Sequence, residues 1–135
     1  MSKEKLFREF FSLYTLINKE IDKYIINNKN NINEIKEAQK ILKGLYNQYD
    51  CIKNNVYSII INGIKNNYTK YSSLLTRETI TISEIFSIIS DNLKDHKTAY
   101  NNIQKIEVLS VINIDNIFIN KVKKILNNII LIACN

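Results

Sequence analysis

Apolar side chains recur at alternating steps of three and four residues along most of this chain, which places them on one face of an α-helix. The strongest run comprises Ile35, Ala38, Leu42, Leu45, Tyr49, Ile52, Val56 and Ile59. An earlier run has the same steps: Phe7, Phe10, Tyr14, Ile17, Ile21 and Tyr24, widened by Phe11, Leu13 and Ile25. Since only the short polar stretch 27–31 separates the two runs, the sequence predicts an antiparallel helical hairpin.

The second predicted helix is the longest, and poor helix formers mark where it weakens. We expect a break at Asn62-Gly63 or at Asn66-Asn67. Beyond it the apolar face continues toward a boundary near Thr76, through Tyr68, Tyr71 and Leu75. Gly44 lies inside the helical pattern, where it costs about 1 kcal/mol relative to Ala. It is therefore a candidate position of close helix packing.

Two further helices are predicted in the second half of the chain. Thr81 and Glu84 have the T-x-x-E spacing of a capping box, which marks the start of the third helix. Its apolar stripe is Ile82, Ile85, Ile89, Leu93, His96, Tyr100 and Ile103. A turn near Ser110 to Asn113 then precedes a fourth helix. The inward side of that helix is predicted to carry Phe118, Val122, Ile125, Ile129 and Ile132.

The composition agrees with a helical fold. Only two glycines and no proline occur among 135 residues, whereas turn-rich all-β folds need both at their corners. Hydrophobic residues make up 45% and charged residues 24%, the balance of a globular chain. We therefore expect one all-α domain spanning residues 1–135. Its predicted architecture is a compact bundle of about four helices, with a long second helix and an antiparallel hairpin formed by the first two.

The cysteines indicate where such a protein resides. Cys51 and Cys134 are far apart and form no CxxC pair, and no cleavable signal sequence is recognisable. The apolar run 129–134 is too short to cross a bilayer. We expect two reduced thiols in an intracellular, cytoplasmic-type compartment, and no membrane span.

Motifs that carry chemistry are missing from the sequence. His96 is the only histidine, and neither Asp91 nor Asp95 shares its helix face, so a packed histidine is the favoured interpretation. One histidine and two distant cysteines are too few for a zinc site. The sequence has no G-x-S-x-G, P-loop or G-x-G-x-x-G motif. We expect no enzymatic activity, no cofactor and no metal.

The charge pattern offers one candidate binding surface. No acidic residue occurs between Asp50 and Glu78, and a second acid-free stretch follows Asp115. Cations contact phosphates and aromatic rings stack on bases, so these two stretches are a candidate polyanion site. The proposed residues are Lys53, Tyr57, Lys65, Tyr68, Lys70, Tyr71, Arg77, Lys121, Lys123 and Lys124. If the two stretches lie side by side, they account for much of the net charge of +6.

Two functional hypotheses follow, and a plainer interpretation competes with the second. The leading hypothesis is a non-enzymatic protein-interaction module: an adaptor, an inhibitor or a small subunit of a larger assembly. The alternative is a subunit that binds a nucleic-acid backbone through the basic residues. Against it, the abundance of Ile, Asn and Lys with only two Arg is typical of an A- and T-rich genome. Such a genome places Lys and Asn on any solvated surface. The identity of a partner and the oligomeric state do not follow from the sequence.

Overall fold

A computed structural model describes residues 2–27, 32–51, 57–91, 96–105 and 114–134. These residues form seven helices: α1 (Ser2–Asn27), α2 (Ile32–Cys51), α3 (Tyr57–Asn66), α4 (Tyr68–Leu75), α5 (Ile82–Ser90), α6 (His96–Gln104) and α7 (Asn116–Cys134). The described ranges contain no β-strand. The predicted all-α fold class is confirmed.

The described residues form more helices than the periodicity predicted. Within the described residues, the predicted second helix contains α2, α3 and α4, and the predicted third helix contains α5 and α6. Residues 52–56 and 92–95, and the turn predicted near 110–113, lie outside the described residues. The predicted fourth helix corresponds to α7.

The boundary between α3 and α4 is at Asn67, one of the two predicted breaks. The backbone N–H of Asn67 donates to the carbonyl of Gly63 at 3.0 Å, and its own carbonyl accepts from the Tyr71 N–H at 3.0 Å. The Asn67 side-chain amide also donates to the Gly63 carbonyl, at 2.9 Å. The Asn67 backbone, at φ −99° and ψ 13°, departs from helical geometry. An Asn side chain that competes for backbone partners thus marks a local irregularity, as its low helix propensity predicts.

Side-chain caps define the starts of two later helices. Thr81 and Glu84 form both halves of the predicted capping box, since the Thr81 hydroxyl accepts from the Glu84 N–H and the Glu84 carboxylate accepts from the Thr81 N–H. At α7, Asp115 accepts a hydrogen bond from the Phe118 N–H at 2.8 Å. This second cap was not predicted from the sequence, although an Asp one residue before a helix is a strong N-cap signal.

Helix α1 is central to the packing, because it contacts α2, α5 and, most extensively, α7. On the α2 side, the ring of Tyr46 lies 5.5 Å from that of Phe11 and 4.8 Å from that of Tyr14, between centroids. Further along α1, Asn18 accepts a hydrogen bond from Gln39 at 3.1 Å. Later residues of α1 therefore contact earlier residues of α2. Helix α7 also packs against α3 and α4.

Most of the predicted inward positions form the core. The buried ones are Phe10, Leu13, Ile17, Ile21, Ile35, Ala38, Leu42, Leu45, Tyr71, Ile82, Ile85, Ile89, Phe118, Val122 and Ile129. The prediction for Ile59 is wrong, because that side chain is 58% exposed and Ile60 and Ile64 are buried instead. The apolar face of α3 is thus shifted by one residue from the periodicity of α2. The close packing proposed at Gly44 is also wrong, since an added Cβ there would meet nothing within 4 Å.

Candidate interaction surfaces

The two acid-free stretches of the chain are neighbours in the fold. Helices α3 and α4 both pack against α7. The Lys123 ammonium of α7 donates a hydrogen bond to the backbone carbonyl of Arg77, just beyond α4. Of the ten residues proposed for a polyanion site, Lys53 lies outside the described residues. The other nine divide into groups with different surroundings.

Lys70 and Tyr71 are tied to α5. The Lys70 ammonium forms an ion pair with Asp91 at 2.7 Å, and the Tyr71 hydroxyl donates to the same carboxylate oxygen at 3.0 Å. Tyr71 is fully buried, so the prediction that its ring is available to stack on a base is corrected. Asp91 directly follows α5, and these contacts therefore attach the end of α5 to α4.

Arg77 is likewise engaged with an acidic partner. Its guanidinium forms an ion pair with Glu84, the residue that also closes the capping box with Thr81. Burial alone would raise the pKa of the Glu84 carboxyl. Hydrogen bonds from Thr81 and Arg77, together with the Arg77 charge, outweigh that effect and hold the pKa below its ordinary value. Arg77, Glu84 and Lys123 thus connect the loop after α4 to both α5 and α7.

Three of the proposed lysines, Lys65, Lys121 and Lys124, are exposed and have no ion pair to another described residue. They do not form one compact cluster with Lys123. Since each residue turns a helix by about 100°, Lys121 and Lys123 point about 200° apart around α7. Tyr68 is 49% exposed, whereas Tyr57 is half-buried against the core. Among the proposed residues that the structure describes, Lys65, Tyr68, Lys121 and Lys124 are therefore the exposed ones whose side chains bond to no other described residue.

The outer side of α7 carries large apolar side chains that face solvent. Ile117 is 68% exposed and Leu131 is 50% exposed. Ile117, Lys124 and Leu131 are spaced seven residues apart, so they lie along one line of the helix surface that is about 21 Å long. This outer line was not predicted from the sequence, because the inward apolar stripe of the same helix is the stronger periodic signal.

A groove lies beside that line, where the start of α1 meets the end of α7. Lys5, Arg8 and Glu9 of α1 and Asn128, Leu131 and Ile132 of α7 line it, and its volume is about 240 Å³. Lys5 and Arg8 are exposed, while Glu9 and Ile132 are half-buried. The groove therefore combines an apolar side with two exposed cations.

A second groove, of about 340 Å³, lies between α2 and α6 and has the opposite charge. Asn33, Glu34, Glu37, Ile41 and Asn102 line it. Its carboxylates belong to the first turns of α2, where negative charge is favourable to the helix dipole. We therefore infer that Glu34 and Glu37 serve to stabilise the N-terminal end of α2.

Side chains that could bind a metal or form a disulfide are dispersed in the part of the chain that the structure describes. There, no group of three or more His, Cys, Asp or Glu side chains is placed to hold a metal ion. The side chain of His96 and the whole of Asp95 lie outside the described residues, as does the side chain of Cys51. The thiol of Cys134 is exposed and in no disulfide. No described helix has both the length and the apolar character needed to cross a membrane.

Comparison with known proteins gives no match: no family model, no curated protein and no solved structure is similar to this chain.

Proposed function

We propose that this protein is a non-enzymatic interaction module, an adaptor, inhibitor or small subunit of a larger assembly, that binds another protein through the outer side of α7. The observation that carries the proposal is the exposure of Ile117 and Leu131 on one line of that helix. We place it in an intracellular, reducing compartment, a setting compatible with the exposed thiol of Cys134.

The fold leaves part of the apolar surface of α7 in contact with water. Fully burying an Ile or Leu side chain contributes about 1.5–3 kcal/mol, so covering the exposed parts of Ile117 and Leu131 would contribute roughly 1–2 kcal/mol each. Isolated apolar residues on a surface are ordinary. Ile117 and Leu131 share one helix line and Leu131 also lines the groove. They can therefore contribute to an interface, because interface energy concentrates in a few such side chains.

The scaffold we infer for this surface is a compact helical bundle in which α1 and α2 form an antiparallel hairpin. The contacts of Tyr46 with Phe11 and of Gln39 with Asn18 support that arrangement. Because α1 also packs along α7, the bundle would fix the position of the groove relative to the exposed line of α7.

A pull-down from native lysate tests the proposal, with each lysate divided into nuclease-treated and untreated halves. We expect protein partners that survive nuclease, are lost with the double variant Ile117→Ser and Leu131→Ser, and are retained with Ile59→Ser. The last variant is a matched control, because Ile59 is similarly exposed but lies on α3. Partners that bind all three proteins equally, or a chain that stays monomeric and retains no protein, would exclude this surface.

The alternative function, binding to a nucleic-acid backbone, is supported by one observation. Helices α3 and α7 are in contact, so the exposed cations Lys65, Lys121 and Lys124 belong to adjoining helices. Because α7 has no acidic residue, nothing on that helix would repel phosphates. This function predicts little sequence preference and an affinity that falls steeply with salt.

The charge-reversal experiment for this alternative should leave Lys70 and Arg77 unchanged. Replacing either by Glu would place a carboxylate against Asp91 or Glu84 and would weaken the fold itself. The informative variant is Lys65→Glu, Lys121→Glu and Lys124→Glu together, measured by anisotropy of a labelled single-stranded oligonucleotide. A control of equal charge replaces three exposed lysines of α2: Lys36, Lys40 and Lys43. Equal affinity for both triple variants would reject the surface.

A further inference from the structure

The charged and apolar side chains of the groove between α1 and α7, and of the outer line of α7, indicate what kind of partner would bind there. Lys5 and Arg8 are the exposed charged groups that line the groove, Lys124 lies on the outer line of α7, and the exposed Lys121 lies one turn after Ile117. The single acidic residue that lines the groove is Glu9, which is half-buried. Among these cations lie the apolar side chains of Ile117, Leu131 and Ile132. Because Lys124 lies between Ile117 and Leu131 and other cations lie near them, this surface is complementary to apolar side chains accompanied by carboxylates.

The geometry favours a helix as the complementary element. Ile117, Lys124 and Leu131 repeat every seven residues, which is the repeat by which two helices packed side by side keep the same faces in contact. The line is about 21 Å long, a length that a helix of about 14 residues covers. A groove formed by two packed helices accepts the apolar face of a third helix in the same way.

We propose that this surface binds an amphipathic helix of a partner protein whose apolar stripe is flanked by Asp or Glu. The apolar stripe of that helix covers Ile117 and Leu131 and extends into the groove beside Ile132. Its carboxylates pair with Lys121 and Lys124, and those at one end pair with Lys5 or Arg8. This inference rests on the proposed protein-interaction function and specifies the chemistry of its partner.

A selection experiment on the intact protein tests the chemistry even while the natural partner is unidentified. Helical peptides of about 18 residues, slightly longer than the line they must cover, are displayed with a constant Leu stripe, and the flanking positions vary among Glu, Lys, Gln and Ser. We expect selection to enrich Glu at the flanking positions and to disfavour Lys there. The bound peptides should weaken by about tenfold or more against Lys121→Glu with Lys124→Glu, since two favourable charge pairs become repulsive. They should also weaken as salt increases.

The control protein carries Lys36→Glu and Lys40→Glu, which change the net charge equally on exposed positions of α2. It should bind the selected peptides as the unmodified protein does. Enrichment without acidic bias, or equal weakening by both double variants, would overturn the proposed partner chemistry. If selected peptides lack acidic bias but the lysate partner is still lost with Ile117→Ser and Leu131→Ser, the interaction function stands and only the acidic helix is rejected.

Two other occupants of the surface are distinguished by the same variants. Binding to vesicles of anionic phospholipid that is lost with Lys121→Glu and Lys124→Glu, with no acidic peptides enriched, would identify a membrane surface and overturn the proposal. A concentration-dependent dimer in sedimentation that is abolished by Leu131→Ser would identify a second copy of this chain and would overturn it equally.

Discussion

The buried hydroxyl of Tyr71 should stabilise the fold more than the charged ammonium of Lys70, although both contact the same oxygen of Asp91. The Tyr71 hydroxyl donates to that oxygen at 3.0 Å from a fully buried ring. Lys70 contacts it at 2.7 Å, but the Lys70 side chain is 46% exposed to solvent. Because the acceptor is shared, the comparison sets a buried neutral donor against an exposed charged one.

The expected losses of unfolding free energy follow from the surroundings of the Tyr71 hydroxyl and the Lys70 ammonium. A hydrogen bond to a charged group contributes about 1.5–3 kcal/mol. Since Asp91 keeps Lys70 as a partner after Tyr71→Phe, we expect that variant to lose about 1–2 kcal/mol of unfolding free energy. The ion pair of Lys70 is screened by water, so Lys70→Gln should lose less than about 1 kcal/mol.

Urea denaturation followed by far-ultraviolet circular dichroism measures both losses. Tyr68→Phe is the matched control, because Tyr68 is half exposed and its hydroxyl bonds to no described residue; we expect it to change stability by less than about 0.5 kcal/mol. If Tyr71→Phe were as stable as the control, or if Lys70→Gln cost more than Tyr71→Phe, the reasoning from burial would be refuted.

Three further predictions concern local features of the helices. Gly44→Ala should stabilise the protein by about 1 kcal/mol in urea denaturation, since Gly44 is helical and an added Cβ meets nothing within 4 Å; a loss of stability would contradict this. Asp115→Ala should cost about 1 kcal/mol in the same assay, because it removes the side-chain cap of α7, and an unchanged midpoint would show that the cap contributes nothing. Glu84 has a pKa lowered below its unfolded value, so its contribution is present above pH about 4.3 and is lost as the pH falls through the folded pKa. Glu84→Gln should therefore flatten the pH dependence of unfolding free energy below about pH 5, and an unaltered slope there would argue against it.

Features that depend on a few consecutive residues could be predicted from the sequence. The capping box at Thr81 involves two residues three apart, and the break at Asn67 involves a side chain and a carbonyl four residues away. The inward stripes of α1, α2 and α7 follow from helix periodicity alone. These contacts form within one turn or one helix, so they can be predicted without reference to the rest of the chain.

The candidate polyanion site shows why the local charge composition predicted the binding surface less well than periodicity predicted the helices. Lys70 and Arg77 belong to a stretch without acidic residues, yet each is paired with a carboxylate that lies beyond the end of that stretch. Asp91 is 21 residues from Lys70, and only the packing of α4 near the end of α5 brings the two together. A local excess of positive charge therefore did not show which cations remain exposed.

The amino-acid order alone establishes that this chain is helical, where α5 begins and which faces of α1, α2 and α7 are apolar, because each of these depends on residues within a few positions of one another. Helix packing is what buries Ile60 and not Ile59, places Tyr71 in the core, and brings the start of α1 and the end of α7 to a shared groove. Residues such as Arg8 and Leu131 are more than a hundred positions apart. Their proximity depends on how whole helices pack, and periodicity within one helix contains no information about that arrangement.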